Sequence, residues 1–84
     1  MTYKILIRRK AQKQLAKLPA SDYKKVKAAI QALANNPRPS GSKKLKGRPG
    51  WSIRQGNYRV IYEIQDDQLI ILILDIGDRK DIYR

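Results

Sequence analysis

The side chains best suited to chemistry in this sequence are arginines near its C-terminal end, together with one tyrosine. The chain contains no histidine and no cysteine, which excludes imidazole acid–base catalysis, thiolate nucleophiles and the usual zinc ligands. Its aspartates are too widely spread for a metal site, and its glycines lack the spacing of a phosphate-binding loop. We therefore predict no metal and no cofactor. The candidate catalytic residues that remain are Arg54, Arg59, Arg79 and Tyr83.

Three arginines that converge could clamp one phosphate group through charge-assisted hydrogen bonds. Tyr83 could stack on a base or form a hydrogen bond to the phosphate or sugar. If the phosphate belongs to RNA, the neighbouring 2′-hydroxyl supplies the nucleophile, and the protein needs only to align the attack and stabilise the pentacoordinate charge. A single exposed arginine on a strand is usually just solvated, and a C-terminal tyrosine often only packs. It is therefore the convergence of these residues that indicates function.

Two predicted β-hairpins bring the candidates together. In the first, the alternation of apolar and polar residues in Trp51–Arg54 and Tyr58–Val60 is interrupted by Gly56–Asn57, residue types that tolerate the positive φ of tight turns. With those two residues as the loop, Arg54 lies directly opposite Arg59 on one face of the sheet. On the other face, the predicted pairs are Ile53 with Val60 and Trp51 with Tyr62. Like charges directly opposite each other destabilise a sheet, so this pairing indicates a bound anion.

The second predicted hairpin brings the C-terminal segment to the same end of the sheet. It comprises a strand Tyr58–Gln65, a turn at Asp66 and Asp67, and a strand Gln68–Ile76. The continuous apolar run Leu69–Leu74 predicts a central strand that is covered on both faces and that ends at Gly77. Because this strand runs back toward the first turn, Arg79 and Tyr83 are expected beside the arginine pair.

The N-terminal half predicts one strand and two helices, whose apolar stripes need a sheet to cover. The predicted segments are a strand Tyr3–Arg8, a helix Arg9–Leu18, a helix Asp22–Ala34, a loop Pro37–Ser42 and a short edge strand within Lys43–Pro49. Pro19 is expected to stop the first helix and Ser21 to cap the second. We predict an α+β fold in one domain spanning residues 1–84, with two N-terminal helices packed on one face of a mostly antiparallel sheet of four or five strands.

The charge distribution indicates a polyanionic partner. The net charge is +12, and residues 1–48 hold 14 of the 19 basic residues but 1 of the 7 acidic ones. Such an excess is typical of proteins that bind nucleic acid or the ribosome, and it makes binding strongly dependent on salt. The candidate RNA contacts are Lys43, Lys44, Lys46 and Arg48; the alternative is that they only keep an edge strand in solution. No apolar run approaches the ~20 residues that span a bilayer, so no membrane partner is predicted, and the lack of cysteine fits a cytoplasmic protein.

Two motifs carry a resemblance to a known family. They are GNYRVIY at residues 56–62 and GDRKDIYR at residues 77–84, within LKG…GWSIRQGNYRVIYEI…LDIGDRKDIYR. Over almost its whole length, the chain resembles the RelE branch of the RelE/ParE toxin superfamily. The resemblance implies a RelE-like fold and a metal-independent endoribonuclease that cleaves mRNA in the ribosomal A site and so inhibits translation. It also implies a cognate, RelB-like antitoxin that holds the toxin inactive in a hetero-oligomer.

The resemblance also implies roles for individual positions. Arg59 matches an arginine thought to stabilise the transition-state phosphate, and Arg79 matches a proposed general acid or charge stabiliser. Tyr83 matches a catalytic or base-stacking tyrosine, and Lys46 falls on a basic position linked to RNA binding. Arg54 falls where the best-studied members carry a lysine proposed as the general base.

Three positions depart from the family pattern. Arg54 is a poor general base, because arginine is not deprotonated in proteins. Ser52 stands where some members have a second basic residue, and Asp78 stands where many have histidine. We therefore expect catalysis to rest mainly on orientation and charge stabilisation, with a base that is weak, absent or supplied by the ribosome.

Other functions remain open at this point. A ParE-like gyrase poison, or a catalytically inactive relative that acts only as a binding partner, would keep the fold without the RNA chemistry; the full set of basic residues and tyrosine favours the ribonuclease. A plain RNA-binding module would need aromatic side chains on an open sheet face. Here Trp51, Tyr58 and Tyr62 are predicted to point toward the core.

The sheet face opposite the helices is the predicted surface for the antitoxin. It is expected to carry Ser52, Arg54, Arg59, Ile61, Leu72 and Leu74, so that it is partly apolar and ringed by cations. An acidic amphipathic segment folding onto this face would bury its apolar part and neutralise its arginines. We expect the antitoxin to block Arg54 and Arg59 or to displace the segment that carries Tyr83.

Overall fold

Five strands and two helices form within residues 2–78, the part of the chain that this computed structural model describes. They are, in order, β1 Lys4–Ile7, α1 Arg9–Ala16, α2 Ala20–Ala32, β2 Lys43–Lys44, β3 Trp51–Gln55, β4 Tyr58–Gln65 and β5 Ile70–Asp78. The strands form one sheet in the order β1-β5-β4-β3-β2, with β1 and β5 parallel and the other neighbours antiparallel. This confirms the predicted α+β fold. The predicted site residues Arg79 and Tyr83 lie outside the described residues.

Apolar side chains spaced at helical intervals hold both helices against one face of the sheet. Ala11 and Leu15 of α1 and Val26 and Ile30 of α2 are buried, as predicted from their 3.6-residue period. The buried core comprises Ala11, Leu15, Val26, Ile30, Leu33, Ile53, Val60, Tyr62, Ile71, Ile73 and Ile76. Within residues 2–78, neither helix is long and apolar enough to cross a lipid bilayer.

The start of α2 differs from the prediction, because a proline and not a serine precedes its first turn. Pro19 is the N-cap residue, with φ −54° and ψ 151°, and no side chain caps the helix. Its carbonyl accepts a hydrogen bond from the Tyr23 N–H at 2.8 Å. Ser21 is exposed and lies inside the first turn, so the prediction that it caps the helix is wrong. The proline ring already fixes a φ that suits the entry into a helix.

The β3–β4 hairpin has the predicted register. Its pairs are Trp51–Tyr62, Ser52–Ile61, Ile53–Val60, Arg54–Arg59 and Gln55–Tyr58. Gly56 has φ +61°, whereas Asn57 is not among the residues with positive φ. A positive φ at the first central residue and a negative φ at the second are typical of a type II′ turn. Of the two predicted loop residues, Gly56 therefore provides the positive φ of the turn.

The turn between β4 and β5 is longer than predicted. It occupies the four residues Asp66–Leu69, and β5 begins at Ile70 instead of Gln68. Leu69 has φ +54°, which costs roughly 1–2 kcal/mol for a residue that carries a Cβ. Its carbonyl accepts a hydrogen bond from the Lys4 N–H at 2.8 Å. The strained residue is thus also the place where β1 joins the sheet.

β5 is central in the sheet, as predicted, but only one of its faces is buried. The buried side chains are Ile71, Ile73 and Ile76, and the half-buried ones on the opposite side are Leu72 and Leu74. Cover of the second face is not provided by residues 2–78, so the prediction that both faces are covered stays a prediction. β5 also continues through Gly77 to Asp78, so Gly77 does not end it.

A β-bulge changes the predicted register of β5. The pairs on either side of it are Ile61–Asp75 and Tyr62–Ile73. Leu74 is therefore the extra residue, without a partner position on β4, and Asp75 is the residue that pairs with Ile61. Gln14 of α1 stabilises the bulge, because its Oε1 accepts a hydrogen bond from the Ile76 N–H at 2.8 Å and its Nε2 donates to Asp75 Oδ1 at 2.7 Å.

Candidate phosphate-binding site

Two arginines face each other on the sheet face opposite the helices, which we call the open face. Arg54 of β3 pairs directly with Arg59 of β4, and side chains in this relation have Cβ atoms about 5 Å apart. Arg54 is exposed, whereas Arg59 is 8% exposed. On its other side Arg59 pairs with Gly77. Two cations held this closely repel each other, so an anion between them is stabilising.

A groove at the edge of the sheet includes both arginines. This α2–β3 groove has a volume of about 440 Å³ and is lined by Ala29, Ala32, Pro39, Ser40, Gly41, Lys43, Ser52, Ile53, Arg54 and Arg59. It exists because β2 is short: its pairing with β3 stops at Lys43–Ser52. The edge of β3 beyond Ser52 therefore faces the groove instead of another strand. Of the residues that the structure describes, no carboxylate lines the groove, and three cationic side chains do.

A second groove brings the predicted RNA-contact residues to the same place. This basic groove has a volume of about 370 Å³ and is lined by Lys43, Lys44, Leu45, Lys46, Arg48, Ser52, Arg59 and Ile61. All four predicted contacts line it, and it shares three residues with the α2–β3 groove. Ile61 lies on the open face but is 3% exposed, which fits its position beneath this segment. The arrangement makes one continuous cationic surface, which spans β2 and the arginine pair.

The remaining predicted residues are placed as follows. Arg79 and Tyr83 lie outside residues 2–78, so their convergence with the arginine pair stays a prediction. Asp78 is exposed and pairs with Tyr58 at the last position of the β4–β5 ladder. Ser52 is 3% exposed and lines both grooves. Within residues 2–78, no three acidic side chains cluster as a metal site would require.

Tyr58 connects the site to the helical layer. Its hydroxyl donates a hydrogen bond to Asp22 Oδ2 at 3.1 Å. Burial and this hydrogen bond raise the pKa of Tyr58 above its usual value. Asp22 is the one acidic residue among residues 1–48, and its carboxylate accepts this hydrogen bond beside the turn of the β3–β4 hairpin.

A cluster around Arg38 was not predicted from the sequence. The Arg38 Nη2 lies 2.9 Å from Asp66 Oδ2, and the Tyr3 hydroxyl donates to Asp66 Oδ1 at 2.6 Å. The Arg38 guanidinium also lies over the Trp51 ring, 5.2 Å from its centroid. Hydrogen bonds from Arg38 and Tyr3 lower the pKa of Asp66 below its usual value. This cluster fixes the chain just before the segment that lines both grooves.

The sequence held only a weak signal for this cluster. Asp66 was identified as a turn residue, which is correct, but its partner Arg38 lies 28 residues away. Tyr62, which is fully buried, donates a hydrogen bond to the Pro37 carbonyl at 2.7 Å. A buried tyrosine hydroxyl usually finds a partner, so a partner for Tyr62 could have been expected. Its identity depends on how the loop after α2 crosses the sheet.

Comparisons with known proteins agree on one family. Residues 5–83 match a family model described as the ParE toxin of the type II toxin-antitoxin system, parDE. RelE1 of Methanocaldococcus jannaschii is 35% identical, with 100% of this chain and 98% of that protein covered. The toxin RelG of Mycobacterium tuberculosis is 33% identical, with 100% and 99% covered.

The fold is shared with a solved toxin–antitoxin complex. In the RelBE2 complex of Mycobacterium tuberculosis, one chain is 27% identical and superposes with a TM-score of 0.84, over 94% of this chain and 93% of that one. The two helices against a five-stranded sheet are therefore the RelE fold, as predicted. The predicted resemblance is confirmed at the level of both sequence and structure.

Proposed function

Because the chain belongs to the RelE branch of the RelE/ParE superfamily, the toxins of type II toxin–antitoxin systems, we propose that it is a ribosome-dependent endoribonuclease that cleaves mRNA in the A site. The observation that carries this proposal is the Arg54–Arg59 pair, which lines the α2–β3 groove and of which Arg59 also lines the basic groove, with no carboxylate from residues 2–78 in either lining. A polyanion is the ligand that such a surface favours. A phosphate between the two guanidinium groups is favoured in particular, because both can donate bidentate hydrogen bonds.

The proposed reaction uses the substrate as its own nucleophile. The 2′-oxygen attacks the adjacent phosphorus, and the bond from phosphorus to the next nucleotide's 5′-oxygen breaks. The proton leaves the 2′-hydroxyl, a proton reaches the 5′-oxygen, and the products are a 2′,3′-cyclic phosphate and a 5′-hydroxyl. Arg54 and Arg59 stabilise the negative charge that grows on the phosphate oxygens. Neither arginine serves as the base, since arginine keeps its proton.

The predicted roles of the other residues complete the proposal. Arg79 and Tyr83 would add a third cation and a stacking or acid group. Lys43, Lys44, Lys46 and Arg48 hold the flanking phosphates in the basic groove, which sets the path of the strand across Arg59. The dependence on the ribosome follows from this division of labour: the protein supplies charge, and the ribosome presents a strand that is already aligned.

The test is primer extension on a defined mRNA in a purified translation system, with and without ribosomes. The wild type should cut at codon positions only when ribosomes are present, and the products should end in a cyclic phosphate. Arg59→Ala should lose about 100-fold or more of the rate, as the removal of one charge-stabilising donor does in other enzymes. The matched control is Arg9→Ala, an exposed arginine of α1, which should cut normally. Equal cleavage by Arg59→Ala and the wild type would refute the assignment.

A second candidate function follows from the family match itself, because the matching model is that of ParE toxins. A ParE-like toxin would act on gyrase and would not cut RNA. Three results together would favour a ParE-like activity. Expression would arrest growth, the primer-extension assay would show no cut, and the protein would inhibit DNA supercoiling by purified gyrase. Cleavage that depends on ribosomes would exclude it as the main activity.

We also propose an antitoxin as the regulatory partner, since the RelBE2 relative is solved as a toxin–antitoxin complex. The open face has an apolar part for such a segment: Leu6 is 38% exposed and pairs with the half-buried Leu72. An acidic amphipathic segment would cover these leucines and reach the arginine pair. Leu72→Asp should weaken antitoxin binding by about tenfold or more and leave the cleavage rate unchanged. A complex in which the arginine pair and these leucines stay as exposed as in the free toxin would contradict this.

A further inference from the structure

The α2–β3 groove extends beyond the arginine pair to surface that the proposed cleavage does not use. Part of its lining is small and apolar: Ala29 and Ala32 of α2, and Pro39, Ser40 and Gly41 of the loop before β2. Another part is cationic, with Lys43, Arg54 and Arg59. The groove therefore combines cations suited to a phosphate with apolar surface that a phosphate would not occupy.

The backbone of β3 provides polar groups along one side of this groove. Hydrogen-bonding direction alternates along a strand. The Leu45 N–H donates to the Gly50 carbonyl at 3.0 Å, and Ser52 pairs with Lys43. The backbone groups of Gly50 and Ser52 therefore point toward the β2 side of β3, and those of Arg54, two residues further on, point to that side as well. The chain that precedes β2 does not pair with β3 at Arg54, because the pairing stops at Lys43–Ser52. Gly41 has φ +90°, and the Ser42 N–H bonds back to the Pro39 carbonyl at 2.9 Å. The Arg54 N–H and C=O therefore face the groove.

This edge is too short for a peptide strand. It is bounded by β2, which pairs up to Ser52, and by the turn that begins at Gly56, so that only Ile53–Gln55 are open. Strand addition needs several residues of main-chain pairing. A flat group with both donors and acceptors on its edge needs only one such residue, together with apolar surface against its face. A nucleobase has these properties, and a volume of about 440 Å³ is within the range of small-ligand sites.

We propose that the α2–β3 groove binds the base of the nucleotide next to the phosphate held by Arg54 and Arg59. This rests on the proposed function, because it takes RNA as the substrate. The base packs against Ala29, Ala32 and Pro39, and its edge forms hydrogen bonds with the backbone of Arg54. Reading of a base edge by fixed backbone groups, together with packing on its face, is how single-stranded RNA is generally recognised. The groove then determines which base is preferred beside the cut.

The experiment combines a substitution that fills the groove with mRNAs that lack one base. Ala32→Leu places a larger side chain in the groove, on an exposed position of α2 that should tolerate it. The matched control is Ala28→Leu, one helical turn earlier, which is also exposed but does not line the groove. Single-turnover cleavage is measured on ribosomes carrying mRNAs in which each of the three A-site codon bases is replaced in turn by an abasic ribose.

For the wild type and Ala28→Leu, removal of one particular base should slow cleavage by about 5- to 150-fold, the range expected for the loss of one packed base. Ala32→Leu should be slow with the intact codon, and removal of that same base should slow it no further. Equal abasic penalties in Ala32→Leu and the wild type would overturn the proposal. So would a wild type that is insensitive to all three abasic substitutions.

Failure of the proposed function is distinguishable from failure of this inference. If the wild type does not cut intact mRNA, the ribonuclease proposal fails, and the groove is tested by binding alone. The probe is then a five-nucleotide RNA with a 2′-deoxyribose at the central position, titrated against protein with labelled alanine methyl groups. Shifts of the Ala29 and Ala32 signals that disappear with the abasic version support a base site. Saturation of binding without shifts at these two methyl groups overturns it.

Discussion

The two arginine environments of the sheet differ in what stands opposite the charge. Arg38 lies 2.9 Å from the carboxylate of Asp66 and over the Trp51 ring. Arg54 lies opposite another arginine, Arg59, and among residues 2–78 no carboxylate lines the α2–β3 groove that they share. In the first arrangement the carboxylate of Asp66 neutralises the arginine, and the ion pair holds a loop. The second places two cations side by side at a groove, an arrangement that favours an anionic ligand. The same residue type therefore serves structure in one place and is suited to binding in the other.

The difference also determines how each environment affects stability. The Arg38–Asp66 pair is 44% and 54% exposed, and such exposed ion pairs contribute little to stability because solvent screens them. The loop near it is held more by the buried hydrogen bond from Tyr62 to Pro37. The Arg54–Arg59 pair, in contrast, opposes folding slightly, because like charges lie directly across the sheet. The site is thus placed at some cost in stability, which the rest of the core outweighs.

Arg54→Glu should have the largest effect, because it gives the arginine pair the charge arrangement found at Arg38. The glutamate repels the phosphate, so the rate of ribosome-dependent cleavage should fall by about 100-fold or more. The free energy of unfolding should rise by about 0.2–1 kcal/mol, since an opposite-charge pair replaces a like-charge pair. Single-turnover cleavage and urea denaturation measure the two effects.

The opposite directions of these two effects are what test the comparison. Arg54→Gln is the control, because it removes the repulsion without adding an attraction and should lie between the wild type and Arg54→Glu in stability. If Arg54→Glu lowered both cleavage and stability, Arg54 would be a structural residue and the contrast with Arg38 would not hold.

The triple variant Lys43→Gln, Lys44→Gln, Lys46→Gln should have the next largest effect, on the salt dependence of RNA binding. Each phosphate contact contributes roughly 0.7 to the slope of log affinity against log salt for a single strand. The slope should therefore fall by about 2 for the three lysines together. Binding of an uncleavable RNA at several salt concentrations measures it. An unchanged slope would show that these lysines only keep the edge strand in solution.

The matched control uses three exposed lysines of the helical layer: Lys13, Lys17 and Lys25. They carry the same charge but do not line either groove. Their change to glutamine should alter the slope much less. Equal changes in both triple variants would mean that the RNA senses the net charge of the protein and not the basic groove.

The same contrast explains how much the sequence revealed. The Arg54–Arg59 register follows from local rules, since a two-residue turn and strict alternation leave one pairing, and the structure has that pairing. The helical stripes and the short edge strand were predictable for the same reason. The Arg38 cluster was not, because residues 28 apart meet only after the loop crosses the sheet. The bulge at Leu74 was missed because a continuous apolar run has no alternation to show where the register shifts.

Tyr62→Phe should have the largest effect among changes near Arg38. Its hydroxyl is buried and donates to the Pro37 carbonyl at 2.7 Å. The variant leaves that carbonyl without its donor, which should lower the free energy of unfolding by about 1–3 kcal/mol. Cleavage should be unaffected at temperatures well below the unfolding midpoint. Tyr3→Phe, which removes an exposed hydrogen bond, should cost less; an equal or greater cost would show that burial is not what matters here.

Tyr62 also predicts how stability depends on alkaline pH. Burial raises the pKa of Tyr62 from 10.0 to about 12. A folded-state pKa above the unfolded value gives stability that is fully present below pH 10.0 and is lost as the pH rises toward about 12. The wild type should therefore lose more stability than Tyr62→Phe over this range in urea denaturation. Parallel curves for the two proteins would contradict the assignment.

Asp66→Asn should have the smallest effect on stability among these variants. The size of that effect tests most directly whether Arg38 and the Arg54–Arg59 pair have separate roles. Hydrogen bonds from Arg38 and Tyr3 lower the pKa of Asp66. Its contribution to stability is therefore present above the usual pKa of 3.8 and is lost as the pH falls through the lowered value. The difference in stability between the wild type and Asp66→Asn should be constant near neutral pH, shrink at acid pH and shrink with added salt. Cleavage should not change. If Asp66→Asn instead reduced cleavage as strongly as the lysine triple variant does, Arg38 would position the basic groove as well as stabilise the loop, and the two arginine environments would be coupled parts of one site.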